Sequence, residues 1–373
     1  MAGIYIHIPF CKQACTYCNF HFSTSLTHKK ELLFAIEKEI NDRSSDLYIN
    51  TIYFGGGTPA ILEAAELESI LATLQNNFKI ATDAEITLET NPDDISRTSL
   101  DAWLNIGVNR LSIGIQSFDD AELKWMNRAH NAAKSMECLQ QINDAGFTNY
   151  SADLIYGSPI QTMDILQKNI DLLMRFDVPH ISSYALTVEE KTVLHKRIVQ
   201  GKESDVNTNV QAKMFYHIIE AFRQNNIEQY EISNFSKVGK RSKHNSSYWQ
   251  GEPYIGVGPS AHSFDGVSKR SWNIADNKKY LDGINNDLNM AQFEILTSNQ
   301  QENEAIMLGL RTVEGIDIMR FEKQFGVSRK LHLLSKAETQ LDKNLVMIDG
   351  NFLKLTNEGK FLADGIAADL FEI

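Results

Sequence analysis

The chain has 373 residues, 43% of them apolar and 23% charged, and a formal net charge of −12. This length suits one (β/α) barrel with an appendix or two medium domains, and the composition excludes long disorder. The excess of 48 Asp and Glu over 36 Lys and Arg argues against a nucleic-acid footprint, which needs a basic face.

The amino terminus, MAGIYIHIPF, lacks the charged region and apolar core of a signal peptide. No later run reaches the roughly 18 apolar residues that span a bilayer. Ile4–Ile8 alternates as a strand does, and Cys11-x3-Cys15-x2-Cys18 follows directly. Only Cys138 lies elsewhere, in a helical stretch where a core role is expected, so a disulfide framework is excluded and a reducing, cytoplasmic setting expected. A helix is expected at His28–Asp42, then a strand at Thr51–Phe54 ending in Gly55-Gly56-Gly57, and a helix at Glu63–Gln75. Strands at Glu85–Glu89, Arg110–Ile115, Tyr150–Ile155 and Ile181–Leu186 alternate with helices at Arg97–Asn105, Ala132–Ala145, Gln161–Arg175 and Asn209–Gln224. Gln229–Ile232 is a last strand candidate. Such alternation builds a parallel sheet, here a partial or complete TIM-like (β/α) barrel with its functional residues at strand ends.

Past about Asn273 the rhythm changes. Helices at Gln300–Arg311 and Asp317–Phe325, a hairpin at Leu345–Leu355 turning at Asp349-Gly350-Asn351, and a closing helix capped by Thr356 form a small α+β, winged-helix-like unit. The expected division is therefore 1–275 and 276–373, with the second part a packing module.

Three thiolates in a tight loop can hold three irons of a cuboidal [4Fe–4S] cluster and leave the fourth open. A Cys3His zinc site completed by His21 is the alternative on spacing alone. Gly55-Gly56-Gly57-Thr58-Pro59 fits either close backbone approach to a ligand or a tight turn. Glu89, Gln116 and Asp153 sit on successive strands, where each could bind a ligand or cap a neighbour.

Cys-x3-Cys-x2-Cys is the defining motif of the radical S-adenosylmethionine superfamily. GIYIHIPFC, YFGGGTP, ETNP, SIGIQSF, DLIYGSP, SYALTVE and YEISNF together resemble the group containing oxygen-independent coproporphyrinogen III dehydrogenase and the HemW-type haem chaperones. The resemblance implies a [4Fe–4S] cluster on Cys11, Cys15 and Cys18, whose open iron is chelated by S-adenosylmethionine. It places Tyr5 and Tyr17 beside cluster and cofactor, and Gly56, Gly57 and Thr58 at the methionyl end. It places Glu89, Gln116, Arg128 and Asp153 at the nucleoside and carboxylate. An arginine fork suits a carboxylate, although Arg128 read alone is an ordinary surface residue of a helix.

Within the group, only ten residues precede Cys11, and Phe20 stands where the decarboxylating enzymes continue their motif with another cysteine. His244-Asn245-Ser246-Ser247-Tyr248-Trp249 matches the HNxxYW motif of the haem chaperones, which makes His244 the haem ligand by resemblance. Taken by itself, that stretch is a polar loop with an aromatic anchor. The expected function is therefore haem binding and delivery to an acceptor haemoprotein of the respiratory chain, the alternative being decarboxylation of coproporphyrinogen III to protoporphyrinogen IX. Enzymatic turnover is not required by the chaperone reading. A homodimer and a transient membrane contact are compatible with it, although no basic amphipathic helix supports the latter.

Overall fold

The structure is a computed structural model and describes residues 2–288 and 291–372. Strands β1 (Ala2–Ile8), β2 (Tyr48–Gly56), β3 (Lys79–Thr90), β4 (Arg110–Gln116), β5 (Tyr150–Tyr156) and β6 (His180–Ala185) run parallel, side by side in that order. The crossovers carry α1 (Lys29–Asp42), α2 (Ala64–Asn77), α3 (Arg97–Asn105), α4 (Asp120–Trp125) with α5 (Ala132–Ala145), and α6 (Met163–Arg175).

Alternation along each strand sorts the side chains onto two faces. Ile4, Ile6 and Ile8 of β1, Ile52 and Phe54 of β2, Leu88 of β3, and Leu111 and Ile113 of β4 belong to one core cluster with Leu32, Ile36, Leu67, Ile70, Leu100 and Leu139 of the helices. The opposite face carries Tyr5 and His7, Thr51 and Tyr53, Glu85 and Glu89, Ser112, Asp153, and Ser182 and Tyr184. The apolar core therefore lies between sheet and helices, and the concave face of the sheet is polar.

After α7 (Val193–Val199) and α8 (Thr208–Gln224), β7 (Glu228–Gln229) and β8 (Asn234–Ser236) form a small hairpin. Here the sequence expectation is corrected. Gln229–Ile232 is not a parallel strand, because the chain turns at Glu231 and runs back antiparallel to β6, with Tyr230 N bonding Asn234 O and Ser183 N bonding Ser233 O. Helix α9 (Lys243–Trp249) follows, and β9 (Tyr254–Val257) pairs parallel to β1. Strands β10 (His262–Phe264) and β11 (Lys269–Trp272) extend that edge antiparallel, as does β12 (Gln292–Ile295) beyond α10 (Asn277–Asn285). The sheet thus ends at β12 on one side and β7 on the other, and among the described residues no pairing joins these edges. Among the described residues the sheet is open.

The remaining elements are α11 (Ser298–Leu310), β13 (Ile316–Asp317), α12 (Ile318–Phe325), α13 (Val327–Asp342), β14 (Val346–Asp349), β15 (Phe352–Leu355), α14 (Asn357–Lys360) and α15 (Ala363–Leu370). They have the helix–strand–helix–helix–hairpin order of a winged-helix unit and their own core, built on Ile306, Leu310, Phe321, Leu333, Leu353 and Ile366.

Glu39 ties the parallel sheet to its antiparallel extension. Its buried carboxylate accepts from Tyr280 Oη at 2.7 Å, Asn273 Nδ2 at 2.8 Å and Gly258 N at 2.8 Å, and pairs with Arg43 at 2.7 Å. Glu39→Ala removes the acceptor of Tyr280 Oη and Gly258 N and one partner each from Asn273, which keeps Gly258 O, and Arg43, which keeps Ser263 and Asn273. It should lower unfolding stability by about 3 kcal/mol in a denaturant titration, and a loss too small to resolve would remove this tie from the account.

Candidate functional site

The carboxyl ends of the parallel strands surround a cavity of about 550 Å³. Cys11, Cys15 and Cys18 all line it, together with Tyr17, Gly56, Gly57, Thr58, Glu89, Gln116, Arg128 and Asp153. The cysteine loop leaves β1 and is held from two sides. Gly57 N bonds Ile8 O at 2.9 Å, and Thr58 N bonds Phe10 O at 2.6 Å. A Cβ on Gly57 would lie 2.5 Å from Phe10 O, so only glycine lets these two loops meet. On the other side, Gln13 Nε2 donates to Asn127 O at 2.9 Å, and Asn127 Nδ2 donates to Ala14 O at 2.7 Å.

Donors reach the sulfurs directly, among them Thr58 Oγ1 to Cys11 Sγ at 3.7 Å, Arg128 Nη1 to Cys15 Sγ at 3.2 Å and the Phe20 amide to Cys18. Burial pushes the Cys11 thiol up to about 11 and also raises Cys18, so free thiolates are costly here. Iron would supply the charge that deprotonates them, and the Thr58 and Arg128 donors would tune the bound sulfurs. His21 does not line the cavity; its Nε2 meets Asn277 Oδ1 at 2.7 Å and its ring stacks on His7. Cys138 is buried in α5 with its Sγ on Ser135 O.

Arg128 is not the surface helix residue that its sequence context allows. It follows the end of α4 and points into the site, where Nη2 donates to Gly114 O at 2.8 Å and to Asn91 Oδ1. Its Nε and the Oδ1 of Asp153 are buried without a partner among the described residues. Orphaned polar atoms facing one cavity are what a polar ligand would satisfy, and an adenosyl amino acid carries matching donors and a carboxylate. Gln116 reaches the same cavity from a left-handed backbone, φ 66°, at the end of β4.

Glu89 forms part of the floor. Its Oε1 accepts from Tyr53 Oη at 2.8 Å and its Oε2 from Gly56 N at 3.1 Å. Burial pushes this carboxyl up to about 7, against the pull of Tyr53 and Gly56. It pushes Asp153 up to about 6, against Ser182 and the Arg110 and Arg128 cations. Tyr5 stands apart from the cavity wall, stacked on Tyr53 at 6.0 Å and bonded to His7 Nδ1 at 3.2 Å. Tyr53 and Asn91 are site residues that the sequence reading did not single out. Tyr53 was available from the alternation that puts it on the face of Gly55, and Asn91 from the ETNP stretch.

His244 lies deeper, toward the amino-terminal end of the strands. Its Nδ1 pairs with Thr51 Oγ1 at 2.7 Å and its Nε2 with Tyr248 Oη at 2.8 Å, and its ring stacks on Tyr53 at 4.9 Å. Burial pulls its pKa down to about 3, so the ring is neutral at physiological pH, the state in which imidazole binds metals. The motif is helical, where the bare sequence also allowed a loop. It forms α9, whose neighbouring residue Asn245 lines the cysteine cavity. His262 lies outside that cavity, stacked on Trp272 at 5.9 Å.

Three thiols at the end of the first strand, a glycine loop after the second and polar strand ends around one cavity define a radical S-adenosylmethionine protein. The Radical SAM superfamily model matches residues 5–173, and the HemN C-terminal domain model matches residues 296–362. The chain is 33% identical to the heme chaperone HemW of Bacillus subtilis (strain 168) over 98% of both chains. It is 31% identical to the heme chaperone HemW of Lactococcus lactis over 97% of both. It belongs to the heme chaperone HemW family. The solved coproporphyrinogen III oxidase (HemN) of Escherichia coli superposes with a TM-score of 0.86 over 99% of this chain and 90% of its own; at 22% identity, that likeness shows the fold.

The raised Glu89 and Asp153 make the folded, ligand-free chain bind protons more tightly than the unfolded chain. Their contribution to stability therefore falls as pH rises from about 4 to about 7, whereas the buried, neutral His244, His7 and His130 contribute a rise over most of that range. Glu89→Gln removes one falling contribution, so in thermal unfolding of ligand-free protein the variant should gain stability relative to the unmodified chain as pH rises from about 4 to about 7, and a difference that stays constant with pH would show that Glu89 does not titrate there.

Proposed function

We propose that this chain binds haem and passes it to an acceptor haemoprotein of the respiratory chain, using a cluster-and-S-adenosylmethionine site as its redox half. The reading rests chiefly on the chain's full-length relation to proteins named heme chaperones. The motif HNSSYW, seated as a helix against the cluster cavity, adds to it.

Cys11, Cys15 and Cys18 would hold the cluster. Gly56, Gly57 and Thr58 would meet the methionyl end of S-adenosylmethionine, Arg128 its carboxylate, and Glu89, Gln116 and Asp153 its polar edges, with Tyr17 alongside and Tyr5 packed behind Tyr53. When bound, this pair supplies one-electron reductive chemistry. The protein's part is to orient the cofactor, to offer the Thr58 O–H to Cys11 Sγ and an Arg128 N–H to Cys15 Sγ, and to keep two uncharged acids beneath a cation at low pH and two carboxylates at high pH. His244 would serve as the axial haem ligand. One ring nitrogen must first be freed, Nε2 from Tyr248 or Nδ1 from Thr51, while the other can keep its hydrogen bond and orient the ring. The chain would divide into a barrel part, whose core and sheet take in α10 and β12 beyond residue 275, and the C-terminal unit that follows, the second acting with the first in holding haem rather than in cluster chemistry.

Anaerobically reconstituted protein should be brown, and each of Cys11→Ala, Cys15→Ala and Cys18→Ala should lose that absorption, while Cys138→Ser keeps it. A colourless protein with stoichiometric zinc would overturn the cluster assignment. An anaerobic haem titration of cluster-loaded protein should show saturable, near-stoichiometric binding that collapses in His244→Ala. Binding indifferent to His244 would remove the ligand assignment, and an absence of saturable binding would bring porphyrinogen decarboxylation forward.

A further inference from the structure

Helix α9 has two cavities against it. Asn245 lines the cysteine cavity, while Ser246, Trp249 and Gln250 line a second cavity of about 590 Å³ between the barrel and the C-terminal unit. His244 and Tyr248 face neither opening, being spent on Thr51, on each other and on the rings of Tyr53 and Tyr254. One short helix thus separates the two spaces and presents a different part of HNSSYW to each.

Building on the haem reading above, we propose that this second cavity is where haem docks. Three observations converge on it. Its volume falls within the ~300–1,000 Å³ of ordinary ligand pockets, and the cysteine cavity is committed to cluster and S-adenosylmethionine, so a third large group needs its own space. Its apolar walls come from both units: Trp249 and Phe264 from the barrel side, Phe321 and Phe325 from α12, surfaces against which a flat macrocycle can lie. The Trp249 ring is backed by the Arg311 guanidinium at 5.4 Å, which fixes it as one wall. Its Nε1 is buried with no partner among the described residues, a donor that a ligand displacing the ring edge can satisfy.

The charges are compatible with two propionates. Arg241 and Arg320 line the cavity. The Arg320 Nη2 has only a long contact, 3.4 Å, to Gln250 O, whereas Arg241 pairs with Glu314 in a solvated bridge at 2.6 Å that a propionate can replace. The remaining acids are spoken for: Glu304 by Arg270, and Asp317 by the first amides of α12. The other roomy hollow, around Glu39, Tyr280 and Phe293, is not lined by any residue of α9. Docking against Trp249 also places haem on the helix that carries His244, so an α9 shift can convert docked haem into ligated haem. Affinity and axial ligation are then separable quantities.

The test uses cluster-loaded, full-length protein. Ala305→Trp fills the cavity from α11 at a partly exposed position, and Arg320→Glu reverses one wall charge; Ala305 and Arg320 both line the cavity. Each should weaken haem binding by about tenfold or more in an anaerobic titration. Cluster absorption and S-adenosylmethionine affinity should stay at the unmodified level, which also reports that the fold is kept. His244→Ala should differ from both in kind, shifting the Soret band of whatever haem remains bound. If both cavity variants titrate like the unmodified chain while His244→Ala loses haem, haem enters through the barrel and this site is wrong although the haem reading stands. If the unmodified chain takes no haem, the reading and the site fall together.

Discussion

The Glu85 carboxylate at the start of α9 is the interaction on which the rest of the site's arrangement depends. It is buried in the middle of β3, and it accepts from His244 N at 3.0 Å, Lys243 N at 3.1 Å and Ser242 Oγ at 3.4 Å. A helix of seven residues does not hold itself together in water, and its first amides have no partner within the helix. A carboxylate at that end satisfies two of those amides and favours the positive end of the helix dipole. The helix is thereby pinned inside the sheet's concavity, and the direction in which each side chain of HNSSYW points follows. Gly3 completes the seat: a Cβ there would lie 2.8 Å from Thr51 Oγ1 and 3.2 Å from the His244 ring.

A polar concave face is expensive unless its groups find partners, and here they find them in a chain that crosses the barrel. Gly56 N, in the glycine loop, bonds Glu89; Glu89 accepts from Tyr53; the Tyr53 ring lies on His244; and His244 bonds Tyr248. Tyr53 therefore touches both the floor of the cysteine cavity and the helix below. A displacement of Gly56 or Glu89 by a bound ligand has a direct mechanical route to α9, through one ring and one hydroxyl rather than through the apolar core behind the sheet.

What the sequence disclosed was what repeats locally. The alternation IYIHI separates Ile4, Ile6 and Ile8 from Tyr5 and His7, and it places them on the two faces that the structure shows. The cysteine spacing, the glycine triplet and Glu89 at the end of its strand were likewise readable, because each depends on a few neighbouring residues, whereas Asp153 was expected at a strand end and lies in the middle of β5. The features that escaped depend on distant partners. Helix α9 is too short for a periodic signal and exists because Glu85 lies 159 residues away along the chain. The turn at Glu231 looked like strand continuation because its residues suit a strand, and only pairing with β6 reveals the reversal. Phe20, by contrast, was informative by substitution. It is largely exposed at the cavity wall, where a fourth cysteine would have indicated other chemistry.

In the haem reading proposed above, a reducible cluster and a haem would both need desolvated, shaped surroundings, and each would compete for the other's space in a single pocket. A closed barrel with an apolar interior would leave no room for either. Opening the sheet at β7 and β12 frees its edges for the C-terminal unit to pack against, and the polar concavity lets a short helix be fixed within it by one acid. The partition is thin, since Asn245 and Trp249 on the two sides are only four residues apart. The Tyr53 ring, stacked on His244 and bonded through its hydroxyl to Glu89, is the contact shared by the two sides. The two halves of the molecule are separated in space but not mechanically independent.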